Sequence, residues 1–451
     1  MIIKKHNDTV ATFSDFSPYL LFSTLYTILY YYIIKNNYFH NSLQSLMSGL
    51  PLFVVFVTIL HVFATSKKHL NLNNKIDFFL DGVTNYPLIF HSFIFMLSTN
   101  LNFILAKTNS VTTAVTIGLI VIPSSWIIPS FFLFSSFLSI IIPSSLVTII
   151  TIIPISYGIA CSLNINFALM TATVMSGVLC GTHISLHSDT IKAIGKSTQS
   201  NFVEIIKESL YIVIPSFIGT IILLSQFKHS ILDPSIYIQL KSSLFLQDYI
   251  TIIPYLLLIL NCIIGINLLI NLLIVSLIGI IIGILYGNFL FCDIICTMFD
   301  GFCGQKALVN LVVLSLFSFG LIKMIYNNGG FNYLLKKLEI KTTKNKYLKE
   351  FILVFVTSIM NMMIIIDTLS INLFEPFITK IIKKYNIKPT RGMSLFHITT
   401  TTIQLFLPYT LPILLVTYLT HTSYKEIIIY MIYPMLISLF TIISISINSI
   451  I

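Results

Sequence analysis

Charge is what this sequence has least of. Only 9% of its 451 residues are Asp, Glu, Lys or Arg, against about 25% in soluble globular proteins. With 56% hydrophobic residues and a mean hydropathy of +0.93, a soluble globule is excluded and a polytopic membrane protein is expected. Cysteine is sparse too. The six cysteines are scattered, with Cys161, Cys180 and Cys262 inside apolar runs, so no disulfide framework is indicated. Cys292, Cys296 and Cys303 lie near Asp293 and Asp300, but without a nearby histidine they read as small buried thiols rather than a metal site. Neither a Walker A loop nor a nucleophile elbow occurs, which argues against ATP-driven pumping and hydrolytic chemistry.

What is present is apolar sequence punctuated by lysine. The length allows roughly ten to twelve spans of about 20 residues in one membrane domain over residues 1–451. The formal charge of +10 sits mainly in the polar gaps, the pattern of cytoplasmic loops. Lys4 and Lys5 precede the first apolar run, 18–34. Lys67, Lys68 and Lys75 follow the second, 46–64, which puts the N-terminus inside. No small-residue cleavage site follows the first run, so a retained span is expected rather than a signal peptide. The polar connection 226–248 separates two similar halves, about 1–230 and 250–451. Duplicated halves with discontinuous helices are a recurrent transporter plan.

Several runs carry interruptions. His91, Asn100 and Asn102 mark a wetter or protein-facing side of the span 87–105. The stretch 110–142 is too long for one span and is broken by Pro123, Pro129 and Pro143. After it, Ser144, Ser145 and Thr148 offer hydroxyls beside a proline, as an unwound helix facing an ion would. Gly279, Gly283 and Gly287 form an i, i+4, i+8 row suited to close helix packing. Two basic loops, Lys336 to Lys349 and Lys380 to Arg391, flank the apolar run 351–374. A re-entrant hairpin keeps both loops on one side, each arm of about ten residues rising about 15 Å. Asn361 would lie at its tip and Asp367 on its returning arm; the other reading is a single tilted span. Thr399 to Thr402 precede Pro408 and suggest an unwound segment, although drift in an AT-rich genome would also produce such a run. A final span covers 427–447.

The chain is organised around residues 176–190, S-G-V-L-C-G-T-H-I-S-L-H-S-D-T. Hydroxyls, two imidazoles and a carboxylate gathered in an apolar context are a site hypothesis by default. A dehydrated sodium ion needs several oxygen ligands. Ser185, Ser188, Thr190 and Thr400 can supply neutral oxygens, and Asp189 first, Asp367 second, can supply the charge. A buried carboxylate that holds either a proton or a cation suffices for exchange. Thr182, His183, His187, Ser144, Ser145, Asn361, His397 and Thr399 are expected to line the cavity. His183 and His187, at i, i+4, would share a helix face. Without further ligands nearby they read as polar, pH-responsive neighbours of Asp189 rather than a zinc site.

These motifs resemble the NhaC-type sodium/proton antiporter family of the ion-transporter superfamily, from about Asp81 onward. The family's G-D-x-x-S-P-x-S-D-T-T element is matched in spacing by Gly181, Ser185, Ser188, Asp189 and Thr190. Its G-T-S-W-G-T element is similar, though poorly, to the region of Pro143, Ser144, Ser145 and Thr148. Segments 300–305 and 320–331 resemble its glycine-rich span, I-D-T-L-S-I at 366–371 resembles D-Q-Y-L-S-I, and Ser394 to Pro408 resembles its last element. The resemblance implies cation/proton exchange on inverted repeats with discontinuous helices. Departures are plain: Thr182 stands for an Asp, Leu186 for a proline, and His397 and Ile398 for a Glu-Asp pair.

The expected fold is therefore an all-α polytopic membrane protein of about 10–12 transmembrane helices in two inverted repeats. The expected function is a secondary transporter, not an enzyme, exchanging sodium or another monovalent cation for protons across a bacterial inner membrane. Its partners would be the lipid bilayer and that small ion. No nucleic acid and no cofactor are implied beyond the transported cation and proton, and the oligomeric state stays open, a homodimer included. Two other readings stand beside it: a carrier for an organic anion or amino acid, favoured by the lost carboxylates and by the histidines, and a degenerate membrane protein without transport.

Overall fold

A computed structural model describes residues 13–35, 43–65, 72–198, 202–227, 246–286, 291–301, 306–331, 333, 346–362 and 366–448. Among them every regular element is helical. The middle connection over 228–245, the basic segment 334–345, Gly287 and Cys303 lie outside the described residues.

The first two apolar runs form α1 (Phe13–Lys35) and α2 (Leu43–Thr65), followed by α3 (Leu72–Val83) and α4 (Tyr86–Lys107). Pro87 sits in the first turn of α4, where its missing N–H is no loss. The long stretch 110–142 divides at Pro123 into α5 (Ser110–Val121), a 3₁₀ turn (Ser124–Trp126) and α6 (Ile127–Ile141). Pro129 breaks nothing, because it falls in the first turn of α6 where no i−4 partner is due. Pro143 does end α6 by pushing the preceding Ile142 into extended backbone (ψ 121°). There follow α7 (Ser145–Ser162), α8 (Phe167–Ile184), α9 (Asp189–Thr198) and α10 (Phe202–Leu224).

The second half contains α11 (Leu246–Thr251), α12 (Ile253–Ile264), α13 (Leu268–Leu285), α14 (Phe291–Phe299) and α15 (Lys306–Asn328). It continues with α16 (Lys346–Asn361), α17 (Asp367–Tyr385), α18 (Pro389–Leu405), α19 (Leu411–Thr420), α20 (Tyr424–Ile429) and α21 (Ile432–Asn448). Seven of the described helices are long and apolar enough to cross a membrane, and five more are shorter apolar helices. The run 427–447 is thus not one span: it divides between α20 and α21. Gly279 packs α13 on α4, where an added Cβ would lie 2.9 Å from Ile104 Cγ2.

Two hairpins define the centre. Along α8, Gly177, Gly181 and Ser185 meet successive levels of α6. The glycines abut Phe132 and Ser136 carbonyls, and Ser185 Oγ donates to the Ile140 carbonyl at 2.7 Å. The partner number rises with the residue number, so α6 and α8 run parallel and α7 returns between them. In the second half Arg391 pairs with Glu350 at 3.2 Å, and Asn361 Nδ2 donates to Thr400 Oγ1 at 3.2 Å. α16 and α18 therefore also run parallel, and α17 returns. α17 thus turns back along α16, as a hairpin would, but its arms have 16 and 19 residues rather than about ten.

The halves face opposite ways. His183 Nε2 is 2.8 Å from Thr401 Oγ1, while Thr190 Oγ1, further along, is 2.9 Å from His397 Nε2. Residue numbers rise on one segment as they fall on the other, so the path from α8 into α9 runs antiparallel to α18 and the two hairpins are oppositely directed. Each hairpin tip is held by the helix break in its own half. Asp189 N–H donates to the Pro143 carbonyl at 3.3 Å, and the Tyr409 hydroxyl donates to the Met362 carbonyl.

Candidate functional site

Where the hairpin tips meet, a small cavity is lined by His91, Pro143, Ser144, Ser145, Leu146, Thr182, Ser188, Asp189, Thr190, Ile366, Asp367 and Thr368. Its volume of about 10 Å³ is room for roughly one water-sized guest. Both acids that the sequence singled out lie on it, one from each half.

Local sequence explains the placement. Ser188 caps α9: its Oγ accepts from Thr190 N–H at 3.3 Å, and its carbonyl accepts from Lys192 N–H at 3.1 Å. An N-cap serine followed by aspartate is a strong helix start, and it leaves Asp189 in the first turn of α9. Ile366 is extended (φ −126°, ψ 126°), which starts α17 at Asp367, whose Oδ1 accepts from Thr368 N–H at 2.7 Å. α7 begins at Ser145. Three helix N-termini, those of α7, α9 and α17, thus converge on one cavity. Each presents amide groups without intrahelical partners and the positive end of a dipole.

His91 on α4 completes the lining. Its Nε2 lies 3.6 Å from Asp189 Oδ2, and its Nδ1 lies 2.6 Å from the Pro87 carbonyl oxygen. The sequence marked His91 as an interruption of a span but gave it no role. The available signal was an imidazole in an apolar run with a helix-starting proline four residues before it.

Of the residues expected at the site, Ser144, Ser145, Thr182, Ser188, Asp189, Thr190 and Asp367 line this cavity. Ser185 does not, because its hydroxyl is committed to Ile140 and accepts from His187 N–H at 3.3 Å. His187 shares no helix face with His183: α8 stops at Ile184, and His187 lies exposed in the break. Thr399 to Thr402 are not unwound. They lie inside α18, where Thr401 donates to the His397 carbonyl one turn back at 2.9 Å, which satisfies the hydroxyl without breaking the helix. The break falls later, around Pro408.

The remaining expected residues form a separate buried cluster. Tyr433 Oη is 3.0 Å from His183 Nδ1; the Thr401 hydroxyl donates to a carbonyl, so it accepts from His183 Nε2–H, and His183 Nδ1 accepts from Tyr433. His397 bonds Thr190, and Thr190 bonds Ser188 at 2.6 Å, which links this cluster to the cavity wall. Asn361 and Thr400 bond each other. Thr400, His183, His397, Asn361 and Thr399 therefore stand behind the lining, not on it.

No family model matches the chain, and no curated protein matches it. The NhaC-type likeness of the motifs has no counterpart in those comparisons. Among solved structures, the chain is similar to the YdaH transporter of Alcanivorax borkumensis, described as having an unusual topology. The TM-score is 0.45 at 12% identity, covering 90% of this chain and 98% of that one. Composition and fold make this chain an all-α polytopic membrane protein.

Proposed function

We propose that the protein is a secondary transporter that exchanges a small monovalent cation, sodium foremost, for protons. The observation that carries this reading is that Asp189 and Asp367 share one cavity with room for about one water-sized guest. Asp189 and Asp367 are partly exposed rather than fully buried, and carboxylates set among apolar helices are costly unless they serve a guest or each other. Here they stand among hydroxyls of Ser144, Ser145, Ser188, Thr190 and Thr368 that suit a dehydrated cation.

The two carboxylates at the lining repel an anion when ionised, which favours the small cation over an organic anion. What favours an anion instead is the convergence of three helix N-termini, which by itself would hold one; the two carboxylates already occupy that field.

The test is proton flux in proteoliposomes carrying the full chain. Sodium, lithium or potassium added outside should discharge an imposed pH gradient, and Asp189→Asn should respond at least about tenfold less. An organic anion or amino acid that is taken up with no cation-dependent proton movement would replace this reading with the carrier. Absence of any flux would leave the degenerate protein.

A further inference from the structure

The lining holds one imidazole, and its ring is fixed in one orientation. A carbonyl oxygen only accepts, so the contact of His91 Nδ1 with Pro87 at 2.6 Å places a hydrogen on Nδ1. In the neutral ring the lone pair is then on Nε2. That atom is buried without a hydrogen-bond partner, and Asp189 Oδ2 lies 3.6 Å away, about half an ångström longer than a hydrogen bond.

We infer that His91 and Asp189 hold one proton between them, and that this is the proton an entering cation displaces. The inference rests on the exchange reading above and names the group that shares its proton. In the proton-loaded state the hydrogen lies either on Asp189, which donates to Nε2, or on Nε2, which faces the carboxylate. The net charge of the pair is zero in both. When a monovalent cation enters, the proton leaves to water from whichever group held it, Asp189 is left negative and binds the cation, and His91 is left as the neutral Nδ1–H tautomer. One positive charge enters and one departs.

The charged groups facing His91 are Asp189 on α9 and Asp367 on α17. Of the other helices packed on α4, α5 and α13 contain no ionisable side chain and α7 contains only Tyr157 and Cys161. Lys323 of α15 lies over the Tyr326 ring. α14 meets α4 at Asn100, about 14 Å along the helix from His91. Asp367 is thus the second acid in reach, but Asp189 is the acid in ion-pair range.

The experiment uses purified full-length protein in weakly buffered micelles with a pH-sensitive dye. In the wild type, sodium chloride should release about one proton per ion bound near neutral pH, and sodium affinity should fall by up to about tenfold for each unit of acidification between pH 8 and 6. In His91→Gln the release at pH 7 should drop at least threefold or so, and the pH dependence over that window should flatten. A folded His91→Gln with wild-type release and pH dependence overturns the inference and leaves exchange intact. A wild type that neither binds nor moves sodium, lithium or potassium removes the exchange reading itself. A second readout needs no variant: in the ¹⁵N-histidine-labelled wild type, sodium should move one Nε2 signal to the position of an unprotonated, unbonded ring nitrogen. If no histidine signal responds to bound sodium, the inference fails.

Discussion

The two halves of the molecule build the same frame and place their acids at different points of it. In the first half the hairpin tip offers hydroxyls, Ser144 and Ser145, and the acid, Asp189, stands at the helix break. In the second half the acid, Asp367, stands at the hairpin tip, and the break around Pro408 contributes nothing to the cavity lining. The site is therefore off the symmetry of the frame. It gathers the first half's tip, the first half's break and the second half's tip, with His91 as the additional side chain. The halves also differ in how they clasp their parallel arms. Glycine against backbone carbonyls joins α6 to α8, whereas a buried ion pair between Glu350 and Arg391, each 7% exposed, joins α16 to α18.

The largest effect should come from the acids. Asp189→Asn should lower cation-driven proton flux by roughly 10- to 150-fold, the factor expected for losing a charged partner worth about 1.5–3 kcal/mol. Asp367→Asn should cost less, and flux assays showing the reverse order would move the ion-carrying role to the second half. Next is Arg391→Met, which removes the guanidinium that lies 3.2 Å from the buried Glu350 carboxylate. Removing one partner of a buried pair costs about 3–5 kcal/mol, read as a lower thermal unfolding midpoint in micelles. By contrast, the exposed Lys388–Glu208 pair at 2.6 Å can lose its lysine without a measurable change.

Gly181→Ala tests the other clasp. Its Cβ would fall 2.3 Å from the Ser136 carbonyl oxygen, backbone that cannot step aside, so about 1–3 kcal/mol of destabilisation is expected. The smallest effect belongs to Gly279→Ala, where the obstacle is the Ile104 Cγ2 methyl at 2.9 Å; a shift of a few tenths of an ångström should hold the loss to about 1 kcal/mol. If both alanine variants unfold at the same temperature, the distinction between backbone and side-chain obstacles is void.

Much of the frame was legible because it is written locally. Pro143 stops a helix by its own ring, Ser188 and Asp189 start one by capping, and the lysines on either side of 351–374 favour a run that turns back. The failures have equally local causes. Four threonines read as an unwound segment because hydroxyls compete with backbone acceptors, yet Thr401 meets that need within the helix by bonding one turn back. His183 and His187 read as one helical face because nothing in the sequence shows the Ser185 hydroxyl reaching Ile140 and ending α8 between them. His91 shows no role in the sequence, because its meeting with Asp189 spans 98 positions and depends on how α4 packs against the hairpin tip. Contacts at that separation are set by tertiary packing, and no short motif encodes them.

The three helix starts around the cavity bear on how such a sequence can change. Up to four amide hydrogens at each start lack a partner in their own helix, and amides belong to every residue except proline. A polar lining supplied by the main chain survives substitutions that would strip a lining made of side chains. Thr182 and Leu186 can therefore vary while the Ser188 cap still starts α9 at Asp189.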